Sequence, residues 1–83
     1  MKVTIKYFAS IREAIGQGSE VRDTAATTLA GLRDELLAST PAHAASLARG
    51  RSVRMALNQV MSDEAALLSE GCEVAFFPPV TGG

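Results

Sequence analysis

Tryptophan is absent from this 83-residue chain, and cysteine occurs once, at Cys72, so no internal disulfide can form. Neither sign of charge dominates: eight Lys and Arg face nine Asp and Glu, for a net charge of −1. That balance excludes a whole-chain pull toward nucleic acid or an anionic membrane. No basic-then-apolar leader and no apolar run of bilayer length is present, so a cytoplasmic chain is expected, with no nucleic-acid and no membrane partner. A phosphate loop, zinc-ligand spacing and a nucleophile elbow are all missing, which leaves the chain without a self-contained active site. His43 is the one histidine, with no second ligand at metal spacing, so no metal site is expected and a surface position is. Aromatics are scarce, and the four that occur, Tyr7, Phe8, Phe76 and Phe77, stand near the two ends of the sequence.

What is there is a compact pattern. A chain of this length buries only a little over ~60% of its unfolded surface, so residues 1–83 are read as one small domain with 78–83 as its tail. From Lys2 to Phe8 the residues alternate, placing Val3, Ile5 and Tyr7 on one face of a strand and Phe8 on the other. Ser10 to Glu13 reads as a capping box for a short helix that Gly16 ends, and Gly18 to Arg22 as a return strand. Thr27 or Thr28 can cap a main helix carrying Leu29, Leu32, Leu36 and Leu37 on one stripe. Thr40-Pro41 opens a second helical segment anchored by Leu47 and stopped by Gly50. Val53 to Leu57 follows as a strand, Asn58-Gln59 as a turn, and Val60-Met61 as a short strand. In the connection from Asp63 to Glu70, Leu67 and Leu68 are expected to pack inward. The last run, Glu73 to Phe77, is apolar enough for a central strand covered on both faces. This order predicts an α+β fold with one mixed sheet gripping a helix.

The sequence closes on Phe76-Phe77-Pro78-Pro79-Val80-Thr81-Gly82-Gly83. At average usage two final glycines arise by chance roughly once in 200 chains. Without Cβ atoms they can thread a narrow channel, and Pro78-Pro79 stiffens the segment before them. A stiff stalk with a slender tip suits insertion.

This octapeptide, preceded by Leu57-Asn58-Gln59 and by Tyr7-Phe8-Ala9 with Arg12-Glu13, closely resembles the small-subunit family of molybdopterin synthase over essentially the whole chain. The resemblance implies a ubiquitin-like β-grasp fold and a sulfur-carrier role in molybdenum cofactor biosynthesis. It implies that an ATP-dependent activating enzyme adenylates Gly83, forming a transient acyl-adenylate. A sulfur donor protein then converts the terminus to a thiocarboxylate. The large subunit would take in the tail, with Gly82 keeping it slender and Thr81, Val80 and Pro79 contacting the channel. Sulfur would pass to cyclic pyranopterin monophosphate within a heterotetramer of two large and two small subunits. No permanently bound cofactor and no catalytic residue of the chain's own are implied. The same resemblance assigns Phe8, Arg12, Met61 and Phe77 to the partner interface. Cys72, where an acidic residue is common, and Met61, where a Leu-like residue is usual, depart from the pattern without touching the tail.

Other readings remain open from sequence. Phe76 and Phe77 must face opposite sides of one strand, so only one can join an exposed patch, and Phe77 is preferred. Cys72 is expected to be structural, because nothing but His43 could activate it. Arg49, Arg51 and Arg54 form a local basic cluster that either guides an acidic partner or is a solvated face. The rivals to a molybdopterin-pathway carrier are the thiamine-pathway sulfur carrier, a ubiquitin-like modifier whose terminal glycine joins a lysine, and an independent enzyme.

Overall fold

The computed structural model describes residues 1–79; Val80, Thr81, Gly82 and Gly83 lie outside them. In chain order the elements are β1 (Lys2–Tyr7), α1 (Ala9–Ile15), β2 (Ser19–Asp23), α2 (Leu29–Leu37), α3 (Pro41–Leu47), β3 (Arg54–Leu57), β4 (Val60–Ser62) and β5 (Glu73–Phe77). The five strands form one sheet in the order β2-β1-β5-β3-β4. β1 and β5 run parallel and every other pairing is antiparallel, so the sheet is mixed and the fold α+β, as the sequence predicts.

One face of the sheet makes the core. Val3, Ile5 and Tyr7 of β1, Val74 and Phe76 of β5 and Met55 of β3 meet Leu29, Leu32 and Leu36 of α2, Ile11 of α1 and Leu47 of α3. Cys72 lies in the same cluster, where a buried thiol acts as a small apolar side chain. The leucine stripe of α2 is the expected one, except that Leu37 is only partly buried. Thr28, rather than Thr27, caps that helix, its hydroxyl accepting from Gly31 N at 3.1 Å. Thr40 caps α3 by accepting from His43 N at 3.1 Å, with Pro41 at the first helical turn. Gly16 ends α1 in the left-handed region at φ 89°. Asn58 and Gln59 both have positive φ in the β3–β4 turn, and Asn58 Oδ1 accepts from Glu73 N at 2.9 Å.

Several expectations fail for identifiable reasons. The capping box does not form: Phe8 occupies the cap position of α1 without a side-chain bond, and Ser10 is already helical. The sheet sets this start, because Phe8 N donates to Phe76 O at 3.2 Å and holds the chain extended through Phe8. Ala9 then turns it abruptly into α1 with φ 52°, a strained value for a residue with a Cβ. Gly50 does not cap α3, which ends two residues earlier at Ala48 in an extended conformation. Leu67 is 73% exposed while Leu68 is buried, since residues 66–68 run alongside the start of α2, Thr28 bridging Leu67, and neighbours in an extended segment point opposite ways. β5 is central and covered on both faces as expected, though unequally: the helical core covers its Val74 and Phe76 side, while on the other face Ala75 is buried and Glu73 and Phe77 are partly covered. The stalk accordingly leaves from the end of the central strand and not from an edge.

His43 is the largest correction. It is 5% exposed, not a surface residue. Its Nε2 lies 3.2 Å from Tyr7 Oη and 3.6 Å from Glu20 Oε2, and its Nδ1 lies 2.7 Å from Thr40 Oγ1. The sequence did carry a signal: His43 stands four residues before the core anchor Leu47 and so shares its helix face. Burial, followed by the Glu20 charge, raises the Tyr7 pKa above its ordinary 10.0. A phenol whose folded pKa lies above its unfolded value binds more protons folded than unfolded in strong base. Its contribution to stability is therefore full below pH 10 and declines above it. Urea midpoints between pH 9 and 11 are expected to fall less steeply for Tyr7→Phe than for the unaltered chain, and parallel curves would refute the assignment.

Candidate functional site

The sheet register brings Ser19, Lys6, Ala75, Ala56 and Met61 into one row across all five strands, on the face turned away from the helical core. Ala75 and Ala56 give the row a flat centre. The neighbouring row holds Phe77 opposite Arg54. Phe8, which prolongs β1, sets its ring edge-on to Phe77 with centroids 6.4 Å apart. Phe8 is 46% and Met61 55% exposed, and Phe77 is half-buried, so an apolar patch spans the last turn of the sheet beside the Pro78-Pro79 stalk. Phe76 points into the core, where it stacks 6.3 Å from Tyr7, and Phe77 points out. An exposed apolar surface of this kind marks a protein-docking site.

Charge surrounds the patch. Lys6 pairs with Glu73 at 3.4 Å on the same face, and Arg54 is exposed beside Phe77. Arg12 lies one helical turn beyond Phe8, its backbone N donating to Phe8 O at 3.3 Å. Its side chain leans over Gly18, where a Cβ would come within 3.2 Å of Arg12 Nε; it does not engage Glu13. Pro79 lines the hollow that contains Met61 and Arg54. Of the residues singled out from sequence, Phe8, Met61, Phe77 and Pro79 are thus brought together, with Arg12 at the margin. Gly83, Gly82, Thr81 and Val80 fall outside the described residues.

The presumed basic cluster separates. Arg49 bridges two elements, its Nε donating to Glu64 Oε1 at 2.8 Å and its guanidinium also pairing with Asp34. All three arginines are exposed, but Arg51 and Arg54, which line hollows with Pro79, pair with no carboxylate among the described residues. Arg33, not singled out from sequence, is buried and donates to Leu47 O at 2.7 Å and Ala48 O at 3.0 Å, closing the end of α3. Burial lowers its pKa from the usual value, but the two carbonyl bonds hold the charged form. The alanine pair Ala56 and Ala75, buried at the centre of the face away from the helices, was also missed, because a small residue in a strand gives no local sign of what covers it.

Among the described residues, no group of three or more His, Cys, Asp or Glu could hold a metal ion. No helix there is long and apolar enough to cross a membrane. The geometry therefore offers a docking face with a stalk at its end. Residues 5–83 match the ThiS family. The chain belongs to the ThiS family. Across 98% of its length, and 99% of its relative's, it is 35% identical to the molybdopterin synthase sulfur carrier subunit of Escherichia coli K12. The structure of SAMP1 from Haloferax volcanii superposes with a TM-score of 0.79 at 25% identity, covering both chains fully. A protein-protein complex of subunits 1 and 2 of molybdopterin-converting factor from Helicobacter pylori 26695 contains a chain that superposes with a TM-score of 0.72 at 25% identity, again with full coverage of both. This ThiS-family chain thus has the ubiquitin-like β-grasp fold of those neighbours. Its apolar patch lies on the face of that fold away from the helices.

Proposed function

We propose that this chain is the sulfur-carrying subunit of a molybdopterin synthase and that Gly83 is the atom site that bears the sulfur. The observation that carries the reading is the placement of the Pro78-Pro79 stalk at the end of the central strand, against the Phe8-Phe77-Met61 patch. A partner that grips the patch is thereby aligned to receive the residues beyond Pro79. Similarity to a sulfur carrier subunit along nearly the whole of both chains supports the same reading.

A glycine carboxylate, with a reference pKa near ~3.5, is an anion at neutral pH and a poor electrophile. An activating enzyme makes it reactive: the carboxylate oxygen attacks the α-phosphorus of ATP, pyrophosphate leaves, and an acyl-adenylate forms at Gly83. The terminal sulfur of a protein persulfide displaces AMP, and a thiol reductant cleaves the resulting acyl disulfide to the thiocarboxylate. In the large subunit that sulfur attacks the pyranopterin, and hydrolysis of the acyl link returns the glycine carboxylate. A dithiolene needs two sulfurs, so two loaded carriers are consumed per product. The chain's own residues bind and position; they move no proton. The partners are the large subunit, the adenylating enzyme and a sulfur donor protein, all cytoplasmic.

Intact-mass analysis after incubation with activating enzyme, ATP and a persulfide donor tests this directly. A sulfur-for-oxygen mass gain confined to the terminal peptide is the expected result. An unmodified terminus under conditions that load a known carrier refutes it. Isopeptide-linked conjugates in place of thiocarboxylate would establish the modifier reading, which the likeness to SAMP1 keeps in view.

A further inference from the structure

Beside the stalk lies a second hollow of about 280 Å³ whose lining includes Pro78 and Pro79 but none of Phe8, Phe77 or Met61. Ile11, Val53 and Pro78 give it apolar walls, and Ser46 and Arg51 give it polar ones. A smaller hollow of about 140 Å³ extends it between α1 and α3, again lined by Ser46 and Arg51. Ser46 is 7% exposed as a residue, and its hydroxyl, which bonds to no described residue, opens to the hollow. Arg51 is exposed and pairs with no carboxylate among the described residues, whereas Arg22, Arg49 and Lys6 each hold one. A hydroxyl open to the groove and without a protein partner, and an unpaired guanidinium, therefore line one apolar-walled groove.

We infer that this groove seats a carboxylate side chain of the large synthase subunit, the carboxylate on Arg51 and Ser46 and its methylene stem against Ile11, Val53 and Pro78. The inference rests on the carrier reading and names a second point of recognition for it. Charge complementarity selects an acidic residue. The apolar walls select one on a hydrocarbon stem over an inorganic anion, for which a single guanidinium is a sparse host. Continuity selects the partner: Pro78 and Pro79 line this groove, and Pro79 also lines the hollow that holds Met61 and Arg54. A protein that encloses the residues beyond Pro79 must pass over the rim of both. Tail and patch supply most of the buried area, and the carboxylate fixes the rotation of the small subunit about its stalk, as charged pairs fix register at interfaces.

Calorimetric titration of the full chain with purified large subunit tests the assignment. Arg51→Glu, at an exposed position, should weaken binding about tenfold or more, while Arg51→Lys retains most of the affinity. Thermal melts confirm that both variants fold. Reversing the matching acidic residue of the large subunit to lysine should restore binding to Arg51→Glu. Unchanged affinity for Arg51→Glu overturns the inference and leaves the carrier reading standing. A deficit confined to loading by the activating enzyme also overturns it, since the acid would then belong to that enzyme. If the unaltered chain fails to bind the large subunit at all, the inference and the carrier reading fall together.

Discussion

Gly82→Val is expected to leave the chain folded and to lower sulfur delivery by about 100-fold or more, the scale of loss when a reacting group is misplaced by an ångström. Gly82 lies beyond the last described residue, so no contact of the core described above depends on it. The effect comes from the tip. A β-branched side chain removes the dihedral freedom that glycine alone possesses and thickens a segment meant to enter a channel. Thermal melts of the variant should overlay those of the unaltered chain, while single-turnover formation of product from loaded carrier and large subunit collapses. Gly82→Ala should fall between the two, because a methyl adds width without β-branching. Normal turnover by Gly82→Val would remove the channel from the mechanism.

The second large effect separates two adjacent phenylalanines. Phe76→Ala should destabilise the fold by about 3–5 kcal/mol, the range for removing a buried aromatic ring. Phe76 is fully buried, stacked on Tyr7 and packed opposite Met55. In a domain whose whole stability is of order 5–15 kcal/mol, that loss lowers the melting temperature by more than about 10 °C. Phe77→Ala, one residue on, removes a half-buried ring that meets Phe8 on the open face. Its expected cost in stability is about 1 kcal/mol or less, but its affinity for the large subunit should drop by more than about tenfold, as for an aromatic anchor at an interface centre. Melting curves and binding isotherms on the two variants form a crossed pair. Equal stability losses would mean that the two rings are not on opposite faces. Undiminished binding by Phe77→Ala would move the docking site elsewhere.

That crossed pair shows how far local pattern reaches. The alternation along β5 already requires Phe76 and Phe77 to part, and the spacing of Leu29, Leu32 and Leu36 already requires one buried helix face. Thr28, Thr40, Gly16 and Asn58-Gln59 announce their turns and caps because each acts on backbone groups within a few residues. The cap at Ser10 failed for the opposite reason: a hydrogen bond from Phe8 to Phe76, 68 positions away in sequence, decided where α1 begins.

Sequence by itself determined the element order, the apolar set that makes the core and the tail motif that points to a carrier, since these follow from side-chain period and local backbone chemistry. Only the tertiary structure decided the rest. Pairing β5 between β1 and β3 put Phe8, Phe77 and Met61 on one open face, though they are far apart in sequence. Packing α3 against β1 buried His43 beside Tyr7, and drawing Arg49 to Asp34 and Glu64 left Arg51 alone at the groove. The physical reason is that burial and charge pairing depend on which distant segments share a surface, and no periodicity within a single segment records that.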